Sequence, residues 1–171
     1  KALISSGISR VVIAAQDPNP TVMGRGIEEL KSANIEVVVG CLEAEARRVN
    51  EAFIHYQTTR SPFVTLKYAM TLDGKINTRT GHSKWITGPV ARNYVHDLRA
   101  RTGAILCGIG TILADDSELT ARPVTEFARQ PVRVVIDPDL KIPLTAKVIR
   151  SISISPVIVF CPEEVDKGKL D

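Results

Sequence analysis

Apolar residues recur in two patterns along the chain. Short β-branched runs at 10–15 (Arg-Val-Val-Ile-Ala-Ala) and 35–39 (Ile-Glu-Val-Val-Val) have the composition of strands buried on both faces of a sheet. Between them Ile27 and Leu30 carry a helical period through 33, after a Gly24-Arg25-Gly26 turn. Strand, helix and strand in that order predict a parallel βαβ unit. From 43 to 58, Ala46, Val49, Phe53 and Tyr56 repeat at helical spacing with charged residues between them, which predicts one further helix. The opening residues 1–6 read as the tail of a helix stopped by Gly7.

Residues 58–62 are polar and contain Pro62, so the boundary between two domains is expected near Arg60, giving 1–60 and 61–171. A new apolar strand is expected at 63–69, followed by a passage rich in Gly and Thr from 73 to 88. A helix over 89–101 starts with Pro89 in the favoured first turn. Next come a strand at 104–107, a short helix that ends near Asp116, and two buried strands at 132–136 and 157–160. Both halves read as α/β, with no internal repeat, low-complexity tract or heptad.

Composition adds mainly exclusions. A formal charge of +3 spread along the chain gives no basic run to neutralise a nucleic-acid backbone, and 5% aromatic residues make no base-stacking platform. No nucleic-acid partner is expected. Cys41, Cys107 and Cys161 form no C-x-x-C pair and read as three reduced, mostly buried thiols of a cytoplasmic protein. No secretory or membrane-length apolar run occurs, so no membrane partner is expected. Lys1 without an initiator Met and the abrupt end at Lys169-Leu170-Asp171 suggest a fragment cut at both ends.

Candidate chemistry in the first half is confined to Asp17-Pro18-Asn19-Pro20, directly after the first strand. Asx and Pro turn chemistry accounts for such a loop. Equally, carboxyl ends of parallel strands are where open sheets place ligand groups, and a carboxylate beside an amide can read a pyrimidine edge. No metal site is expected. His55, His82 and His96 are scattered, and neither H-x-E nor P-C-x-x-C occurs.

In the second half the motifs come in a particular order: Thr65-Leu66-Lys67-Tyr68-Ala69-Met70-Thr71-Leu72-Asp73-Gly74-Lys75, then Trp85-Ile86-Thr87-Gly88, then Gly110-Thr111-Ile112-Leu113-Ala114-Asp115-Asp116. Gly108-Ile109-Gly110 follows a strand, but Leu113 stands where a dinucleotide fingerprint needs its third Gly, so a Rossmann assignment is weak. Asp73-Gly74-Lys75 is also an ordinary turn signal, and Arg99 and Arg101 also complement a helix dipole. Two guanidinium forks, Arg99 and Arg122, suit bidentate capture of a phosphate dianion better than a single Lys would.

The order of these motifs resembles the reductase half of the bifunctional riboflavin-biosynthesis deaminase/reductase family. That resemblance implies an incomplete dihydrofolate-reductase-like α/β domain at 61–171. It makes 1–60 the C-terminal part of a cytidine-deaminase-like three-layer domain lacking its zinc site. The zinc-dependent chemistry of the parent would lie in the missing deaminase half, and no deaminase activity is expected here. The implied reaction is NADPH-dependent reduction of the ribose of 5-amino-6-(5-phosphoribosylamino)uracil. Ala69, Trp85, Thr87, Thr111 and Asp115 would contact the cofactor. Ser83, Arg99, Leu119 and Arg122 would contact the substrate, and Asp17 and Asn19 would serve the deaminase pyrimidine pocket.

Lys67, in an apolar strand, would polarise the carbonyl oxygen or supply its proton, or else snorkel to solvent. Ser117 replaces the family's usual Pro, and Pro138 replaces a small hydroxyl residue near the cofactor's adenosine phosphate, which weakens the preference for NADPH over NADH. The family's later Gly-rich segment has no counterpart before Asp171. A homo-oligomer is expected. The alternatives are a non-catalytic nucleotide-binding or assembly remnant, and a relative acting on another pteridine or pyrimidine.

Overall fold

In a computed structural model the described residues are 1–122, 129–164 and 168. The chain divides into two compact units, Lys1–Tyr68 and Ala69–Asp171.

The first unit contains α1 (Ala2–Ser5), β1 (Arg10–Ile13), α2 (Arg25–Ser32), β2 (Glu36–Val39), α3 (Glu43–Val49) and α4 (Glu51–Thr59). Strands β1 and β2 pair in parallel from Arg10↔Glu36 to Ile13↔Val39, with α2 as the crossover the sequence predicts. Gly7 at φ 70° and Gly24 at φ 74° supply left-handed turns after α1 and before α2. The helix expected over 43–58 is broken at Asn50. Its backbone N–H and its side-chain Nδ2 both donate to the Ala46 carbonyl, at 3.1 and 2.9 Å, and this local side-chain bond ends one helix before the next begins.

β1 and β2 differ from the expected fully buried strands. Val12 and Val39 are exposed, because each strand of a two-stranded sheet is an edge and the helices cover it only in part. The strand expected at 63–69 is absent. Those residues form no ladder, and Leu66 is 82% exposed. β-branched and apolar composition suits a strand, but a strand exists only with a hydrogen-bonding neighbour, and among the described residues none pairs here.

The second unit contains α5 (Pro89–Arg101), β3 (Ala104–Gly108), α6 (Ile109–Asp115), β4 (Val132–Ile136), α7 (Lys147–Arg150) and β5 (Val157–Phe160). The three strands form a parallel sheet in the order β3-β4-β5. One face of this sheet carries the core, where Ile112, Leu119, Val135, Ala146 and Val148 pack with Ile105, Cys107 and Val157 around them. On the other face Leu106, Ile136, Ile158 and Phe160 are exposed.

Arg133 also points into the core side of β4 and is 0% exposed. Its guanidinium donates to the Glu118 carbonyl (3.0 Å), to Ser151 Oγ and carbonyl (2.6 and 3.0 Å) and to the Ser155 carbonyl. This fork ties the strand to the 118–122 loop and to the turn after α7.

Cys107 and Cys161 are half-buried, and burial pushes the Cys107 thiol up. Cys41 is exposed, unlike the buried thiol expected, because it sits just past the exposed end of β2.

Candidate functional site

The last turns of α5 and the loop after α6 build one cationic corner. His96 and Arg99 are three residues apart and so share a helix face. Arg99 Nη1 donates to the Thr120 carbonyl at 3.2 Å, and His96 Nδ1 lies 3.2 Å from the same oxygen. Two residues further on, Arg122 pairs with Glu118. Gln130 closes the loop by accepting from Ala121 N–H at 2.9 Å and donating to its carbonyl at 3.2 Å.

Burial and the like charge of Arg122 push Arg99 down from the usual guanidinium range. Burial, followed by the Arg99 charge, holds His96 below the ordinary imidazole range. The corner thus brings Arg99 and an imidazole to one carbonyl, with the Arg122 charge nearby and paired to the one carboxylate, Glu118. Such an arrangement is relieved by an anion.

The same loop carries Leu119 at φ 60° and 6% exposed. Its side chain is a core residue beside Val135 and Val148, so whatever it gives a ligand must come from its backbone or from shaping the loop. Sequence reasoning missed His96; its signal was the three-residue spacing to Arg99 on a helix of known phase.

A second group lies before α5. Trp85 is 71% exposed, and the Arg92 guanidinium stacks 4.5 Å from its ring centroid. Arg92 Nη1 also donates to the Thr87 carbonyl at 2.5 Å. Ser83 and Thr87 are half-buried. On α6, Thr111 is exposed and Asp115 half-buried, one turn apart and on one face. Side-chain space is open at Gly108 and Gly110, where a Cβ would meet nothing within 4 Å. An exposed hydroxyl and a half-buried carboxylate beside open backbone at the carboxyl end of a parallel strand fit a bulky polar cofactor.

Ala69 is half-buried, and Lys67 is exposed in the extended segment. The Asp73-Gly74-Lys75 sequence forms a tight turn with Gly74 at φ 77°; Thr71 and then Lys75 hold the Asp73 carboxyl below its usual range. Those side chains serve the turn.

In the first unit Asp17 Oδ1 accepts the Asn19 N–H at 2.9 Å, and Asn19 Oδ1 accepts the Thr21 N–H at 3.1 Å and its hydroxyl at 2.7 Å. One oxygen of each side chain is therefore used in Asx-turn chemistry. Asp17 also lines a cleft of about 370 Å³ with Val11, Ile13, Ile27 and Leu30, whereas Asn19 does not. For zinc the donor set does not fit: among the described residues no group of three or more His, Cys, Asp or Glu is placed to hold a metal. Nor is any helix long and apolar enough to cross a membrane, among the described residues.

Residues 62–171 match the family described as the RibD C-terminal domain. The chain belongs to that family. The riboflavin biosynthesis protein RibD of Aquifex aeolicus is 49% identical over 98% of this chain and 47% of its own length. Its counterpart from Bacillus amyloliquefaciens is 44% identical over 99% of this chain and 45% of its own length. The chain therefore spans under half the length of these RibD relatives.

Among solved structures, RibD of Acinetobacter baumannii superposes with a TM-score of 0.84 at 39% identity, covering 99% of this chain and 48% of that one. A Thermotoga maritima protein described as a diaminohydroxyphosphoribosylaminopyrimidine deaminase/5-amino-6-(5-phosphoribosylamino)uracil reductase superposes with a TM-score of 0.82 at 46% identity, over 96% and 46% of the two chains. The mixed α/β architecture with parallel sheets is thus that of RibD structures.

Proposed function

We propose that this chain carries a substrate-and-cofactor half-site of a riboflavin-pathway reductase, which reduces the ribose of 5-amino-6-(5-phosphoribosylamino)uracil with NADPH. The observation that carries the reading is the meeting of Arg99 and His96 on the Thr120 carbonyl with the Arg122 charge close enough to act on Arg99, inside the segment that matches the RibD C-terminal domain. Two like charges held together in a partly buried corner form a receptor for a phosphate dianion. Ser83 would donate to the substrate, and the loop shaped by buried Leu119 would wall it.

Trp85, Thr87, Thr111, Asp115 and Ala69 form the cofactor side. Asp115 would serve hydroxyl or amide groups, because its carboxylate repels phosphates. NADPH, when bound, supplies the reducing equivalents: the carbonyl carbon gains an electron pair and one hydrogen, and the oxygen takes a proton. Lys67 is the proposed source of that proton, as the nearest cationic side chain in sequence to Ala69.

Residues 1–60 are read as the C-terminal part of the deaminase domain of the intact parent and 61–171 as the beginning of its reductase domain. Asp17 and Asn19 belong to the former's pyrimidine pocket, and zinc to segments outside this chain. A cytoplasmic homo-oligomer is the proposed setting.

The test is binding of ribose 5-phosphate by calorimetry, together with NADPH oxidation in the presence of the aminouracil substrate. Arg99→Ala and Arg122→Ala should each weaken phosphate binding about 10- to 100-fold, as loss of a charge-assisted fork does. Lys67→Met should lower turnover while leaving that binding unchanged. Equal phosphate affinity in the wild-type chain and the double Arg variant would overturn the reading.

A further inference from the structure

Trp85 and Thr87 lie in the loop 83–88, where nothing in the sequence fixes an indole that is 71% exposed. Arg92, one turn into α5, reaches back over this loop. Its guanidinium lies 4.5 Å from the Trp85 ring centroid, and its Nη1 donates to the Thr87 carbonyl at 2.5 Å. Arg92 itself is half-buried, held on a helix of thirteen residues. One planar cation therefore fixes two things at once: the orientation of a ring and the path of the backbone two residues later.

A guanidinium can do this because it stacks through its face while donating through its edge; an ammonium, a point charge on a flexible stem, can do one or the other. The stacked cation occupies one face of the indole. With Trp85 as exposed as it is, the rest of the ring stays open to a second flat partner.

We propose that Arg92 is the positioning residue of the cofactor half-site. It clamps Trp85 and the Thr87 backbone in the arrangement that receives a flat ring of the nicotinamide dinucleotide. The inference rests on the reading above that Trp85 and Thr87 contact NADPH. Arg92 does not touch the reacting atoms; it lowers the ordering cost of the loop when the cofactor arrives.

Trp85 is the chain's single tryptophan, so its emission reports this site alone. Two measurements on the 171-residue chain test the proposal, using the wild type, Arg92→Ala, Arg92→Lys and Trp85→Phe, each shown to be folded by far-UV circular dichroism. The first is acrylamide quenching of Trp85 without ligand. Arg92→Ala should give steeper quenching and a red-shifted emission, with Arg92→Lys in between. The second is NADPH titration, followed by tryptophan emission for the Arg92 variants and by cofactor fluorescence for all four proteins. Arg92→Ala should raise the Kd about 10-fold, equivalent to about 1.4 kcal/mol, and Arg92→Lys about 3-fold.

Unchanged quenching in Arg92→Ala would overturn the clamp. Altered quenching with an unchanged NADPH Kd would overturn its cofactor role. If Trp85→Phe also leaves the Kd unchanged, or the wild-type chain binds no NADPH, the underlying cofactor reading fails with it. Should Arg92→Ala not fold, Arg92→Lys carries both measurements.

Discussion

Arg133 shows how much a single side chain can organise. A guanidinium in a parallel strand is an unlikely core residue by composition, yet four acceptors from two separate segments converge on it. Its removal takes the donor from the buried Ser151 and Ser155 carbonyls and from the part-buried Glu118 carbonyl, at a cost of about 1–3 kcal/mol for each buried group left unpaired. Arg133→Ala should therefore destabilise the second unit by about 3–5 kcal/mol in urea unfolding followed by circular dichroism. Arg133→Lys should recover little, since one ammonium cannot span the fork. A loss under 1 kcal/mol in both would show that water replaces these contacts. The Glu118 carbonyl bond matters beyond stability, because Glu118 also pairs with Arg122, so Arg133 props the cationic corner from behind. Nothing in the run Val132 to Ile136 announced this: periodicity places Arg133 on a face, but only the tertiary fold supplies its acceptors.

At the scale of elements, legibility followed how local the determinants were. α5, bounded by Pro89 and carrying its own period, and the β-branched runs of β4 and β5 could be read directly. α7, a four-residue turn of helix, could not, because its start depends on a residue far upstream. Asp116, left-handed at φ 45° and just past α6, accepts the Lys147 N–H at 2.9 Å and pairs with the Lys147 side chain at 3.3 Å, capping α7 across 31 positions. The split at Asn50 was equally hidden, since a helical period continues across it. At the site, Arg99 and Arg122 were legible as residue types and His96 only through its spacing to Arg99, whereas Arg92 gained meaning only from what it touches.

The Asp116 cap carries a pH dependence whose sign follows from its shift. The Lys147 backbone N–H, and then the Lys147 side chain, hold the Asp116 carboxyl below its ordinary value of 3.8 in the folded state. A depressed carboxylate contributes stability above its unfolded value and loses it as pH falls through the folded one. Asp116→Asn should thus lower the thermal midpoint at neutral pH, and the gap to wild type should shrink below pH 3.8. A constant gap down to the acid limit would mean that the hydrogen bond rather than the charge is what counts.

For the molecule as a whole, the sheet of the second unit sets the constraint. All-parallel sheets occur with both faces covered, because their crossovers put layers on each side. Here the core occupies one face, while on the other Leu106, Ile136, Ile158 and Phe160 stand exposed around a buried Val134. Residues 104–107 and 157–160 were legible as strands, but their period could not show that apolar residues on one face would stand exposed among the described residues, since a strand buried on both faces and one half-covered share the same β-branched composition. An apolar patch built on a rigid sheet is stabilised by meeting another of its kind. The 171-residue chain should therefore sediment as a concentration-dependent self-associating species, and it should enhance the fluorescence of a hydrophobic dye. Ile158→Lys places a charge on the edge strand of this face, beside Val134 in the ladder, without touching the core side. It should shift sedimentation towards the monomer and reduce dye binding, while leaving the proposed phosphate affinity of the cationic corner, whose loop packs on the core side through Leu119, unchanged. If the wild type remains monomeric across the accessible concentration range, the exposed face is tolerated by itself and the homo-oligomer loses its physical basis.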